Sequence, residues 1–194
     1  MEAAGIRLAF RLALGLALLL AGCATEPLTG REMDADANAS LQLLYAQSPS
    51  AADLGRRARG ILIFPDIVKG GLVAGGQHGV GVLRMGGKTA GYYNIVSGSF
   101  GLQAGVERSS LVLFLMTDDA LAYLFNSNGW EIGSCPSIVF MDAGMAKTSS
   151  TTTLRKDVFA FAFDLEGFMA GLGTQGSKIT EITPAPDTPV GTSN

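Results

Sequence analysis

Residues 70–89 read GGLVAGGQHGVGVLRMGGKT, a stretch that closes in Gly87-Lys88-Thr89 as a phosphate-binding loop does. Such a loop needs its first glycine five residues before Gly87, but that position is Val82, so Gly81 is one residue out of register. The residues after Lys88 are also strand-like, whereas a phosphate-binding loop opens a helix. The pattern therefore argues against a nucleotide site. It predicts a hairpin that turns at Gly86-Gly87, with the earlier glycines admitting bulges or close approach of neighbouring backbones.

Short runs rich in β-branched and aromatic residues lie on both sides of this stretch. Glycine or proline separates runs such as ILIF at 61–64, GYYNIV at 91–96 and SLVLFLM at 110–116, which is typical of a meander of antiparallel strands. In DVFAFAFDL at 157–165, valine and alanine alternate with phenylalanine, as in a strand with two different faces. We therefore predict a series of strands that continues to about residue 182.

Three helices are predicted around these strands. Apolar residues at helical spacing predict the first over about 35–46, and a capping-box-like start at Ser50 predicts the second over 50–58. Thr117 is the expected N-cap of a short third helix, inserted between strands. Its apolar face carries Leu121, Leu124 and Phe125. The fold class is therefore α+β: a glycine-rich, mainly antiparallel β sheet or barrel-like core with two N-terminal helices and one short inserted helix.

The N-terminus has the features of a bacterial lipoprotein signal. Arg7 and Arg11 precede an apolar run, 12–20, that is too short to cross a bilayer as a mature helix. The run ends in Leu20-Ala21-Gly22-Cys23, which resembles a lipobox, where the cysteine thiol is acylated before cleavage. An ordinary secretory signal with an incidental cysteine is the alternative.

These features divide the chain into four parts. We expect a signal peptide over 1–22, a tether over 23–34 that begins at lipidated Cys23, a domain over 35–182 and a disordered tail over 183–194. Ala24 is not aspartate, which favours sorting to the outer membrane. The expected location is the periplasmic face of that membrane, held by the lipid anchor.

Composition excludes several classes of function. The chain has 14 Lys and Arg against 17 Asp and Glu, so we expect no nucleic-acid partner, because such proteins carry a basic excess or a dense basic face. The single histidine and two cysteines match no common zinc pattern, and no other cofactor is indicated. His78 is interpreted as a solvated turn residue and Cys135 as a small core residue. No nucleophile and base occur in a recognisable arrangement, so we expect no enzymatic activity.

The basic residues near the second helix have two interpretations. Arg56, Arg57 and Arg59 could complement the end of that helix and cover the core. Alternatively, they could join other basic residues in a patch that meets lipid headgroup phosphates. The apolar face of the first helix could add an interfacial contact, although packing on the sheet is the more common use of such a face. The candidate lipid-binding residues are Arg56, Arg57, Arg59, Lys69, Arg84, Lys88, Leu41, Leu44 and Tyr45.

Several motifs, taken in order, resemble one known family. They are Ala58-Arg59-Gly60 leading to Phe64-Pro65, then the five residues 101–105, GLQAG, and a closing GFMAG at 167–171. From about Leu41 to Ile182 the chain resembles the SYLF domain, also called the Ysc84-like domain. The resemblance implies a lipid-binding module: eukaryotic members bind phosphoinositides, some bind and bundle actin, and bacterial members are often lipoproteins.

Together, the signal and the resemblance predict a membrane-anchored lipid-binding protein of the bacterial cell envelope. Its expected ligand is an anionic phospholipid headgroup or the acidic lipid A portion of lipopolysaccharide. The alternative is a structural or protein-interaction lipoprotein that binds an envelope protein and touches lipid only through Cys23.

Overall fold

The computed structural model describes residues 27–71, 74–100, 103–126, 130–132, 138–142, 157–171 and 174–187. The predicted signal peptide, Cys23 and Cys135 lie outside these residues, as does the end of the predicted tail from 188 onward. The helices are α1 Gly30–Gln47, α2 Pro49–Arg57 and α3 Asp118–Asn126. The strands are β1 Gly60–Gly71, β2 Ala74–Met85, β3 Lys88–Phe100, β4 Gln103–Leu115, β5 Trp130–Ile132, β6 Ile138–Asp142, β7 Val158–Gly171 and β8 Thr174–Ile182.

The strands form one sheet in the order β5-β8-β3-β2-β1-β4-β7-β6. Each described pair of neighbours is antiparallel except β6 with β7, which run parallel. The order ends at β5 on one side and β6 on the other, so the sheet is open rather than closed on itself. The predicted α+β class with a mainly antiparallel sheet is confirmed.

The connection between β2 and β3 is the hairpin that the glycines predict. Met85 lies opposite Lys88, and the two residues between them, Gly86 and Gly87, have φ values of 56° and 79°. Two successive positive φ values are those of a type I′ turn, which matches the twist of the flanking strands and which glycine adopts without steric cost. This prediction is confirmed.

Gly81 serves the packing of β1 on β2. The register between the two strands shifts between Ile63 and Asp66, which is a β-bulge at Phe64-Pro65. A Cβ atom on Gly81 would collide with the Ile63 carbonyl oxygen and lie 2.5 Å from Cδ1 of the buried Phe64. The glycine therefore makes room for the bulged backbone and for a core side chain, and the predicted close backbone approach is confirmed here.

We call the half of the sheet that lies nearer the Gly86-Gly87 turn the proximal half. Helices cover both faces of the sheet in this half. On one face, α1 and α2 pack against a phenylalanine-rich cluster in which Phe114 and Phe161 meet edge to face at 5.6 Å. On the other face, α3 packs Ala120, Leu121 and Leu124 onto a second cluster. The opposite ends of the strands form the distal half. Helices α1 and α2 thus contribute to one cluster and α3 to the other. No described helix is long and apolar enough to cross a bilayer.

The helix boundaries differ in part from those predicted. Helix α1 begins at Gly30, within the predicted tether, because Thr29 and Glu32 form a capping box in which the side chain of each accepts a hydrogen bond from the backbone of the other. Helix α2 begins at Pro49, with Ser48 rather than Ser50 as its N-cap. The expected N-cap of α3 is confirmed, because the Thr117 hydroxyl accepts a hydrogen bond from the N–H of Ala120 at 3.2 Å.

Part of the predicted disordered tail is ordered. Ala185 pairs with Thr29 in an isolated parallel bridge, and its N–H donates to the carbonyl oxygen of Leu28 at 3.1 Å. Arg31 forms an exposed ion pair with Asp187 at 3.5 Å. Residues 183–187 are thus held against the start of α1, a contact that their polar, proline-rich composition does not predict.

Candidate groove and basic surfaces

A groove of about 750 Å3 lies on the face of the sheet that α1 covers, where the helix stops short of the distal half. Its floor belongs to β1, β2 and β4, and its walls belong to α1 and to the two chain segments at 27–28 and 182–185. The lining residues are Pro27, Leu28, Met33, Asp36, Pro65, Asp66, Val68, His78, Val80, Arg108, Ile182, Thr183, Pro184 and Ala185. The lining is largely apolar, which is the usual character of a site for a small or lipid-like ligand.

The groove arises because the strands are longer than their helical cover. A strand of 12 residues, such as β2, extends about 40 Å. Val80 still packs partly against the cluster beneath α1, but His78, two residues along the same face, is exposed. His78 therefore lies within a strand and not in a turn, which corrects that part of the sequence interpretation.

Two charged side chains lie together at the rim of the groove. Arg108 and Asp66 approach to 3.3 Å, and both are more than half exposed. An exposed ion pair of this kind contributes only about 0–1 kcal/mol, so the guanidinium can exchange its carboxylate partner for another anion at little cost.

The wall formed by Pro27 and Leu28 is the point where the described chain begins. The hydrogen bond from Ala185 and the bridge at Thr29 fix this segment beside the groove. Cys23 is four residues before Pro27, a span of at most about 14 Å in an extended chain.

The predicted arginine cluster lies elsewhere, at the end of α2. Asp53 forms ion pairs with both Arg56 and Arg57, at 2.9 and 2.8 Å. Arg59 lies 3.5 Å from Asp118. All three arginines are exposed. Arg56 and Arg57 occupy the last turn of the helix, where a positive charge interacts favourably with the helix dipole. Their position fits the interpretation in which they complement the end of the helix. Their exposure also leaves them accessible to an anion.

Arg84 is held inside the molecule and does not join this cluster. It donates to the carbonyl oxygen of Asp34 at 3.3 Å and lies 3.7 Å from the Asp34 carboxylate, with 18% of its side chain exposed. Thr89 donates to the same carboxylate at 2.7 Å. Burial and the neighbouring Asp34 charge raise the pKa of Tyr92, whose hydroxyl also donates to Asp34 at 3.5 Å. Arg84 therefore fastens α1 to the β2–β3 hairpin, which takes it out of the predicted headgroup patch.

Lys69 is separated from the arginines by the length of β1. It lies eight residues along the strand from Ile61, about 26 Å away, between Gln77 and Glu107 on the neighbouring strands. Lys88 is exposed at the other end of the sheet, beside the hairpin turn. The predicted basic residues therefore do not form one patch, because β1 is a long extended strand that carries Lys69 to the distal half.

The apolar face of α1 is turned to the sheet. Leu44 is fully buried, and Leu41 and Tyr45 are half-buried against the same cluster. Tyr45 stacks on Phe114 with ring centroids 6.5 Å apart, and burial raises the pKa of its hydroxyl. Leu44 belongs to the core, and Leu41 and Tyr45 pack against it, as packing on the sheet predicts.

The groove was missed in the sequence because its lining comes from distant segments. Met33, Val80 and Ile182 each read as an ordinary apolar position on a helix or strand. The local signal is the bulge at Phe64-Pro65, and a bulge by itself does not indicate a groove. Among the described residues, no cluster of three or more His, Cys, Asp and Glu side chains could hold a metal ion.

Comparison with known proteins supports the resemblance for part of the chain. Residues 96–186 match the model of the Ysc84 family, described as Las17-binding protein actin regulator. The matched range contains the motifs at 101–105 and 167–171, whereas the motif from Ala58 to Pro65 precedes it. No curated protein matched the chain.

Proposed function

We propose that this chain is a membrane-anchored lipid-binding protein of the bacterial cell envelope, attached to the periplasmic face of the outer membrane through acylated Cys23. The observation that carries the proposal is the apolar groove beside Pro27. A groove lined by Leu28, Met33 and Val80 suits the acyl chain of a lipid, because each buried methylene contributes about 0.8 kcal/mol.

The rim of the groove supports an anionic headgroup. Arg108 lies at the rim beside the exposed Asp66 carboxylate, and guanidinium groups bind phosphate through two parallel hydrogen bonds. The match to the Ysc84 family agrees with the resemblance to a lipid-binding domain. Arg56, Arg57 and Arg59 provide a second, separate basic surface that can approach anionic lipid at the end of α2.

Vesicle co-sedimentation tests the proposal with a chain that lacks residues 1–23. We expect binding to phosphatidylglycerol vesicles to exceed binding to phosphatidylcholine vesicles by at least about tenfold, which corresponds to about 1.4 kcal/mol. Val68→Glu places a charge on the groove floor and should lower binding to both kinds of vesicle. Leu43→Glu is the matched control, because Leu43 is exposed to 38% and Val68 to 37%, but Leu43 does not line the groove.

Two further arms separate the remaining alternatives. Replacing Arg56 and Arg57 by Ala should lower only the preference for anionic vesicles if the end of α2 meets headgroups. Arg108→Ala should lower the same preference if the groove rim meets headgroups. Equal loss from the Val68 and Leu43 variants, or no binding to any vesicle, would contradict the groove as a lipid site. A reproducible cross-linked protein partner in intact cells, combined with no lipid preference, would instead favour a protein-interaction lipoprotein.

A further inference from the structure

The distal half of the sheet carries an exposed row of residues on the groove side. Successive strands bring together Lys178, Val96, His78, Val68 and Arg108, which are direct neighbours on β8, β3, β2, β1 and β4. Paired residues in antiparallel strands point to the same face, so these five side chains form one line across the sheet. Glu131 beside Lys178 and Glu166 beside Arg108 continue the line at its two ends. Basic or titratable residues alternate with valines along this line.

The next row on the same face is almost free of side chains. It consists of Gly176, Gly98, Gly76 and Gly70, followed by Val106 on β4. A Cβ atom added to Gly98 would meet nothing within 4 Å, so this glycine faces open space. The row forms a shallow surface on which another surface can approach the backbone closely.

Exposed apolar side chains are concentrated here. In the part of the chain that the structure describes, six large apolar residues are exposed, and four of them are Leu28 on the groove wall, Val68, Val96 and Val106. Val96 is 45% exposed and Val106 is 59% exposed. Apolar residues gathered beside basic ones are typical of a surface that rests on a membrane interface.

The described chain begins on this side of the sheet. Pro27 and Leu28 form a wall of the groove whose floor includes Val68 and His78. An acylated Cys23 would lie within about 14 Å of Pro27, so the lipid anchor and the valine row would meet the same membrane surface.

We propose that this distal surface, defined by Val68, Val96, Val106, His78, Arg108 and Lys178, rests on the anionic bilayer to which the protein is anchored. Val96 and Val106 enter the headgroup layer, Val68 stays on the groove floor, the glycine row admits close approach, and Lys178 and Arg108 meet lipid phosphates. The groove then opens toward the bilayer, so that an acyl chain can enter it from the membrane. This inference rests on the proposed lipid-binding function and adds the orientation of the domain.

Depth-dependent fluorescence quenching tests the orientation with the full acylated chain in vesicles of phosphatidylglycerol and phosphatidylethanolamine. In a Cys135→Ser background, a bimane label is attached at Val96→Cys or Val106→Cys, and nitroxide-bearing lipids serve as quenchers. Phe125→Cys is the matched control, because Phe125 is 52% exposed on α3, which covers the opposite face of the sheet. Circular dichroism confirms that each labelled variant keeps the fold.

We expect the labels at positions 96 and 106 to be quenched at least about twofold more than the label at 125. Equal or stronger quenching at 125 would overturn the proposal, as would the absence of quenching at all three positions in protein that floats with the vesicles. The test is distinct from that of the proposed function, because loss of groove binding in Val68→Glu can occur with either orientation. If groove binding holds but the valine labels stay unquenched, only the orientation fails.

Discussion

Replacing Gly81 by Ala tests the role of the glycines in the β1–β2 pair. The new methyl group would meet the Ile63 carbonyl oxygen and the ring of Phe64, at a separation well below the 3.4 Å of ordinary contact. Neither neighbour can move freely, because the first is backbone in the sheet and Phe64 is fully buried. Overpacking of this kind costs about 1–3 kcal/mol, and the reduced freedom of the unfolded chain returns about 0.4–1 kcal/mol. We therefore expect a net loss of about 1.3 kcal/mol in the free energy of unfolding.

Urea unfolding followed by circular dichroism measures this loss, which corresponds to a fall of about 3–5 °C in Tm for a domain of this size. Gly98→Ala is the control, since its Cβ would face open space on a neighbouring strand. It should leave the stability within about 0.5 kcal/mol of the unchanged chain. If the two variants unfold at the same urea concentration, Gly81 is not required for the bulge, and the steric explanation of the glycine-rich stretch is wrong.

Two further predictions concern the docking of α1 and the behaviour at alkaline pH. Asp34→Ala removes the partner of Arg84 and Thr89, so we expect a loss of about 2 kcal/mol in thermal or urea unfolding. Asp36→Ala, at an exposed position of α1 that lines the groove, should be nearly neutral for stability. Equal effects of the two substitutions would contradict the fastening of α1 to the hairpin through Asp34. Burial, together with the Glu181 charge, raises the pKa of Tyr93 to about 12. Because the folded state favours the neutral phenol, its contribution to stability is complete below about pH 10 and is lost as the pH rises through about 12. Tyr93→Phe should therefore reduce the difference in urea midpoint between about pH 9 and about pH 11, and an unchanged difference would refute this assignment.

The predictions that succeeded rest on short-range rules. The turn at Gly86-Gly87 follows from two residues that both adopt positive φ. The cap of α3 follows from the Thr117 hydroxyl, which accepts a hydrogen bond from the N–H three residues later. The alternation in β7 also reads directly, because Phe159 and Phe161 enter one core cluster while Val158 and Ala160 enter the other.

The predictions that needed correction depend on distant partners. Arg84 resembles any exposed basic residue until Asp34, 50 residues earlier, is placed beside it. Thr183 to Asp187 has the composition of a disordered tail, but it pairs with the segment before α1. Leu44 belongs to an amphipathic helix that would suit a membrane surface equally well, and only the position of the sheet assigns its face to the core.

The amino-acid sequence by itself determined the fold class, the hairpin and the reason for its glycines, because turn geometry and strand alternation are set within a few residues. It also carries the lipoprotein-like signal that predicts an anchor at Cys23. Only the tertiary structure decided which charges and apolar residues share a surface. Long antiparallel strands separate Lys69 from the arginines of α2 and bring Val68, Val96 and Val106 together, and these distances depend on strand register and sheet order, which local patterns do not specify.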